Sequence, residues 1–209
     1  MLRLQIEKPE ADELAREGSG WEVSAYSRPH WREKVNGDIC YTKELGTHVL
    51  VVVADVLGHG EGAHRGAVVL AQAMQRATGV LKQTYSVLEE AASQTRGCAL
   101  FLALLDRKAI EYILVGNIRG WVLTRKGTEV LVGQPGIVGK RMLNPAIRRL
   151  ELSEPALLLA CTDGIKRSFS PVGLQWLWEG AGEEAACRVV EGYGIAEDDA
   201  SVLVGRRYV

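Results

Sequence analysis

The chain has 209 residues, 47% hydrophobic and 24% charged, enough for one domain with a sizeable core. Its 25 basic and 26 acidic residues are interspersed and leave a formal net charge of −1, so no single-sign field marks nucleic acid or an anionic membrane as a partner. The four cysteines stand far apart without a CxxC pair, and no apolar run reaches the roughly 18 residues of a membrane span, which argues against a disulfide scaffold, a zinc finger and a spanning helix.

The opening Met1 to Gln5, followed by Glu7 and Lys8, lacks the basic start and long apolar stretch of a signal peptide. A soluble, cytoplasmic, monomeric protein with a single domain over residues 1–209 is expected. After a polar stretch to about Gly20, Trp21 to Ser27 alternates, with Trp21, Val23 and Ala25 on one side, and predicts a strand. Arg28-Pro29-His30 breaks it, Val35-Asn36-Gly37-Asp38 turns the chain, and Ile39 to Thr42 predicts a second strand. His48 to Ala54 is an almost unbroken β-branched run that suits a strand buried on both faces and delivers Asp55 at its end. Glycines follow at 58, 60 and 62, and helical periodicity covers Ala63 to Ala77 and Tyr85 to Ala92.

Cys98 to Leu105, Ile110 to Val115, Trp121 to Thr124 and Glu129 to Val132 read as strands separated by turns short enough for an antiparallel meander. Pro135 to Pro145 is irregular. Arg149 to Leu152 and Ala156 to Cys161 are strands leading into Thr162-Asp163-Gly164, Glu183 to Glu191 is helical, and Ala200 to Val204 closes the chain as a strand. The pairs Arg148-Arg149 and Arg206-Arg207 read as solvated faces, and Cys161, in a buried-strand pattern, reads as core.

Carboxylates thus recur where apolar runs end: Gly37-Asp38, Asp55-Val56-Leu57-Gly58-His59-Gly60, Thr162-Asp163-Gly164 and Asp198-Asp199. Held at the rim of a sheet, several such groups repel one another unless divalent cations neutralise them. Each motif alone is weak, since a Gly-Asp in a turn is more often local turn chemistry. Taken in order, with Val51 to Ala54 before Asp55 and Ala200 to Val204 after Asp199, they make the chain resemble the metal-dependent serine/threonine phosphatases of the protein phosphatase 2C type. The short chain and the Gly-x-Gly after Asp55 look more like the bacterial SpoIIE and RsbU branch. Trp21 to Pro29, Glu33 to Tyr41 and Val115-Gly116-Asn117-Ile118-Arg119 are similar to the RsbX-type stressosome phosphatases, which act on STAS-domain proteins.

The resemblance implies an α+β fold, an αββα sandwich of two antiparallel sheets flanked by helix pairs, with a metal cleft at one end. It implies two Mn2+ or Mg2+ ions, with Asp55 bridging them, the carbonyl of Val56 on one, and Asp38, Asp163 and the Asp198-Asp199 pair completing the set. Within that pair Asp198 is read as ligand and Asp199 as its hydrogen-bonding neighbour. Asp38, Asp55, Asp163 and His59 form the implied catalytic set, and a phosphorylated STAS-domain protein is the implied substrate and partner.

The chain departs from the eukaryotic pattern at Leu57, where a histidine stands two residues after the bridging aspartate. It departs again at Asn117, where many relatives carry an aspartate that can hold a third ion. Arg32 or Lys34 is the candidate to approach a phosphate. Two other readings compete: a catalytically silent scaffold that binds a phosphorylated partner, and a zinc hydrolase centred on His59 and His64, whose spacing of five suits a shared helix face poorly.

Overall fold

The computed structural model describes residues 18–208, so the reading of Met1 to Gln5 lies outside the described residues. Ten strands form two five-stranded sheets. One, in the order β2-β3-β4-β5-β8, contains β2 (Asp38–Leu45), β3 (His48–Val56), β4 (Cys98–Leu105), β5 (Ala109–Val115) and β8 (Arg148–Glu151). The other, in the order β1-β10-β9-β6-β7, contains β1 (Trp21–Arg28), β10 (Ala200–Arg207), β9 (Ala156–Cys161), β6 (Arg119–Thr124) and β7 (Gly127–Val130). Every strand pair is antiparallel.

Side-chain alternation sorts the strands into layers. On β3, Leu50, Val52 and Ala54 face the helices α1 (Gly60–Met74) and α2 (Leu81–Ser93), while Val49, Val51 and Val53 face the second sheet. All eight residues of β4 are buried, as its uninterrupted apolar sequence requires of a central strand covered on both sides. Between the sheets, Phe101, Ile110, Val122, Leu158 and Leu203 interdigitate with Trp21, whose indole N–H donates to the carbonyl of Asp106 at 2.8 Å. The outer face of the second sheet packs on α3 (Gly182–Tyr193) and a 3-10 turn, Gln175–Trp178. A helix pair therefore covers one face, and one helix with a short turn covers the other.

The meander expected from Cys98 to Val132 is split. β4 pairs β5, but β6 pairs β9 and β7 in the opposite sheet, so Gly116-Asn117-Ile118 carries the chain from one layer to the other. Turn length predicts reversal of direction and says nothing about which sheet receives the next strand. Glu129 to Val132 was expected as a strand, but the ladder takes Gly127–Val130, two residues earlier, because Thr124 pairs with Gly127 across the turn. Asp38 and Asp55 are included in their strands as a directly opposed pair, and Asp55 is not the residue after the strand.

Arg206 and Arg207 also depart from their reading as solvated side chains: they end β10, and Arg206 is only 2% exposed. The Arg206 guanidinium is satisfied by carbonyls instead of carboxylates. It donates to the oxygen of Leu177 at 2.7 Å and 3.0 Å, to that of Glu179 at 2.9 Å and to that of Gly180, which ties the 3-10 turn to the last strand. A buried guanidinium is tolerable only when its donors are filled in this way. Arg206→Met removes those donors and orphans three carbonyls, and is expected to lower unfolding free energy by about 2–4 kcal/mol, measured by urea titration; a loss under about 0.5 kcal/mol would refute this role.

Candidate metal centre

Each sheet contributes two acidic positions to one end of the sandwich. Asp38 and Asp55 oppose each other on β2 and β3, while Asp163 follows β9 and Asp198-Asp199 precede β10, its neighbour in the second sheet. Like charges opposed across a ladder are unfavourable. Burial and the neighbouring Asp55 push the Asp38 carboxyl well above the usual range, although the Thr162 hydroxyl donates to its Oδ2 at 2.8 Å. Burial, then Asp163, raises Asp55 to about 7, and the two carboxyls are close enough to share a proton. Asp198 is raised too, by burial and then by Asp163. Asp38, Asp55 and Asp198 thus sit in one electrostatic field in which Asp198 raises Asp55 and Asp55 raises Asp38.

Asp199 does a different job. Its Oδ1 accepts from the amide of His30 at 2.7 Å and its Oδ2 from the amide of Gly37 at 2.8 Å, and the residue is 3% exposed. Both oxygens are turned to main chain and pin the loop that delivers Asp38. Asp198 instead lies within electrostatic reach of Asp163, and its Oδ1 accepts the amide of Asp199 at 2.9 Å. Gly164 is required by close approach, since a Cβ there would lie 1.8 Å from the carbonyl oxygen of Asp199. That contact brings the turn after β9 against the entry to β10.

Several positioning groups escaped the sequence reading. The amide of Asn117 donates to Asp163 Oδ2 at 2.7 Å, and Arg119 donates to the carbonyl of Ile165 at 2.6 Å, so the crossover between sheets also steers the Asp163 loop. The Thr162 hydroxyl, beyond donating to Asp38, accepts the amide of Ser201 at 3.0 Å. Asn117 and Thr162 lay inside motifs already singled out; what was missing was the pairing, which adjacency in sequence does not encode.

His59 meets Glu33 at 3.2 Å through Nδ1 and stacks on His30, ring centres 4.5 Å apart and planes 8° from parallel. With Trp31, Arg32 and Glu197 these residues line a cavity of about 450 Å3 beside Asp198. Among the described residues, His30, Glu33 and His59 form the one His/Cys/Asp/Glu triple whose donor atoms all lie within 4.8 Å of one another. Stacked rings cannot both aim in-plane lone pairs at one ion, and the amide of Arg32 donates to His30 Nδ1 at 3.1 Å. The triple is a packed wall of the cavity. His64 turns elsewhere, its Nδ1 on the Asn36 carbonyl at 3.0 Å, so the two histidines of the zinc reading serve different partners.

Cys161 and Arg167 stand at the Cys-x5-Arg spacing of cysteine phosphatases, yet Cys161 is fully buried and burial pushes its thiol up to about 12. It is core, as expected, and not a nucleophile.

A chain from a structure of the bacterial stressosome, described as a modular system adapted to control secondary messenger signalling, matches with a TM-score of 0.82 and 29% identity over 89% of this chain and 99% of that one. RsbX in complex with magnesium matches at a TM-score of 0.77 and 17% identity, covering 90% of this chain and 96% of that one. The catalytic domain of the serine threonine protein phosphatase PstP in complex with two manganese ions matches at 0.70 and 17% identity, covering 89% and 97%. At such identities RsbX and PstP speak to fold alone, and comparison with curated proteins finds no match. The family model described as Stage II sporulation protein E matches residues 46–208, and the chain therefore belongs to the SpoIIE family of phosphatase domains of the protein phosphatase 2C type.

Proposed function

We propose that the chain, as a single domain over residues 1–209, is a Mn2+- or Mg2+-dependent phosphatase that removes phosphate from serine or threonine of a signalling protein. The observation that carries this reading is the convergence of Asp38, Asp55, Asp163 and Asp198 from two sheets, with the carboxyls of Asp38, Asp55 and Asp198 held above their ordinary range. These aspartates and the Val56 carbonyl would hold two ions. Bound there, divalent cations neutralise charge on the phosphoryl group and lower the pKa of a water they carry.

The chain's own groups do the rest. Asp199 and Thr162 hold Asp38, Asn117 orients Asp163, and the cavity between Trp31 and Glu197 receives the substrate beside them. His59, kept in place by Glu33 and by stacking on His30, is the rim imidazole that hands a proton to the leaving serine or threonine oxygen. A STAS-domain stressosome protein is the proposed substrate; the likeness to a stressosome chain at 29% identity supports it. Four free cysteines fit action in a reducing cytoplasm, and no helix among the described residues is long and apolar enough to cross a membrane.

The first measurement is phosphate release from a phosphorylated STAS-domain protein and from an aryl phosphate with Mn2+. Asp55→Asn and Asp163→Asn are each expected to lose on the order of 10³ in kcat/KM, and undiminished turnover in either rejects the reading. His59→Ala is expected to slow phosphoserine more than aryl phosphate, whose leaving group needs no proton; equal losses remove its role. A silent scaffold would bind the phosphoprotein without releasing phosphate.

The pH dependence follows from the raised carboxyls. Asp55 is protonated in the ion-free fold until about pH 7 but ionises near 4 when unfolded, so the stability it contributes is full below about 4 and lost as pH rises through 7. Ion-free protein is therefore expected to melt at a higher temperature at pH 5 than at pH 8, and Mn2+ to raise the melting temperature more at pH 8. Calorimetry should show Mn2+ affinity falling as pH drops below 7; affinity independent of pH between 5 and 8 would contradict the coupling.

Asp199→Ala strips both acceptors from the amides of His30 and Gly37. It is expected to weaken Mn2+ binding at least about tenfold although Asp199 is no ligand, with Asp199→Asn intermediate because one oxygen remains. Wild-type Mn2+ affinity in Asp199→Ala would show that the loop stands without it.

A further inference from the structure

The guanidinium of Arg96, distant in sequence, lies over the bare backbone of Gly58 and Gly62. Gly58 has φ +91°, and a Cβ on it would lie 2.7 Å from Nη1 of Arg96. A Cβ on Gly62, inside α1, would lie 2.5 Å from Nη2 and 2.8 Å from Cζ of the same guanidinium. Gly62 lies in the first turn of α1, where it leaves room for this guanidinium. What lies there is a planar cation spread across two bare Cα atoms, one in the loop after Val56 and one in the first turn of α1.

The position of Arg96 is set by the ladder. Val56 pairs with Cys98 at the start of β4, and the amide of Leu57 donates to the carbonyl of Gly97 at 3.1 Å. Arg96 therefore leaves the sheet at the edge where Asp38, Asp55 and Asn117 also emerge, on the β4 side of Asp55, whereas Arg32 stands on the β2 side. Its side chain is exposed, and among the described residues its guanidinium has no hydrogen bond or ion pair. Four aspartates stand at the same end, and it pairs with none of them.

We propose that Arg96 is a substrate-contact residue that binds the oxygens of the substrate's phosphoryl group. This rests on the phosphatase reading of the aspartate ring. The guanidinium offers five N–H donors in a rigid fork that matches a tetrahedral oxyanion in two-pronged fashion, which a lysine ammonium cannot do. Packing on Gly58 and Gly62 restricts an otherwise flexible side chain before substrate arrives, so less rotamer entropy is lost on binding.

The experiment compares Arg96→Gln and Arg96→Lys with the unaltered protein, all loaded with Mn2+. Turnover of p-nitrophenyl phosphate and of a phosphoserine peptide is measured, with inorganic phosphate affinity by calorimetry and folding by thermal melting. In Arg96→Gln, kcat/KM on both substrates should fall about tenfold to a hundredfold and phosphate bind at least about tenfold more weakly, with Mn2+ affinity and melting temperature unchanged. Arg96→Lys should recover part of the loss. Aryl phosphate turnover and phosphate affinity within about twofold of the unaltered protein overturn the proposal. A loss confined to the peptide overturns it too, because Arg96 would then read a flanking acidic residue. Should the unaltered protein turn over neither substrate, the phosphatase reading fails, and phosphate affinity of Mn2+-loaded protein still decides: absent binding, or equal binding in Arg96→Gln, rejects the contact.

Discussion

Repulsion among buried carboxylates is the constraint around which this end of the molecule is arranged. Asp38 and Asp55 are forced opposite each other by the register of β2 and β3, and Asp163 is brought against Asp55 by the turn after β9. Raising Asp55 from an ordinary 3.8 to about 7 corresponds to a penalty on the order of 4 kcal/mol for ionising it in the folded chain. A domain of this size has a net stability of only about 5–15 kcal/mol, so such a penalty is tolerable at one place, backed by a large core. The three apolar clusters, two outside the sheets and one between them, are what hold the carboxyls together against that cost.

Apolar packing fixes distances between layers, but it does not aim side chains. That task falls to hydrogen bonds at the strand ends: Thr162 to Asp38 and Asp199 to the amide of Gly37 cross from one sheet to the other, while Asp199 to the amide of His30 and Asn117 to Asp163 extend the β1-β10 and β6-β9 pairings within the second sheet. The two that cross tie the Asp38 loop to Thr162 and Asp199, so Asp38 takes its place only when both sheets are docked. Losing one cross-link loosens a carboxylate without unfolding the core, which separates the energetics of the site from those of the fold.

Much of this was legible in the chain. Unbroken apolar runs at His48 to Ala54 and Cys98 to Leu105 announced strands buried on both faces, and the carboxylates at the ends of such runs marked the rim. The split of the meander was not legible, because Gly116-Asn117 is a good turn whether the next strand rejoins its sheet or crosses to the other. Arg206 was misread because charge alone suggests solvent, and only the fold reveals three carbonyls waiting at the 3-10 turn. The pairing of His30 and Glu33 with His59 was not legible either, because it depends on His59 arriving from the far side of Asp55. Local periodicity is written in neighbouring residues, whereas these pairings join positions 26 to 169 residues apart.

Asn117 bears on the charge of the ring. Its amide donates to Asp163 Oδ2, and an aspartate in its place could not donate while ionised. Two carboxylates would then face each other where Asp55 already crowds Asp163, and the penalty carried by Asp55 would rise further unless another cation entered. The amide keeps the geometry and removes a charge. It steers Asp163 by hydrogen bonding without adding a further charge beside Asp55.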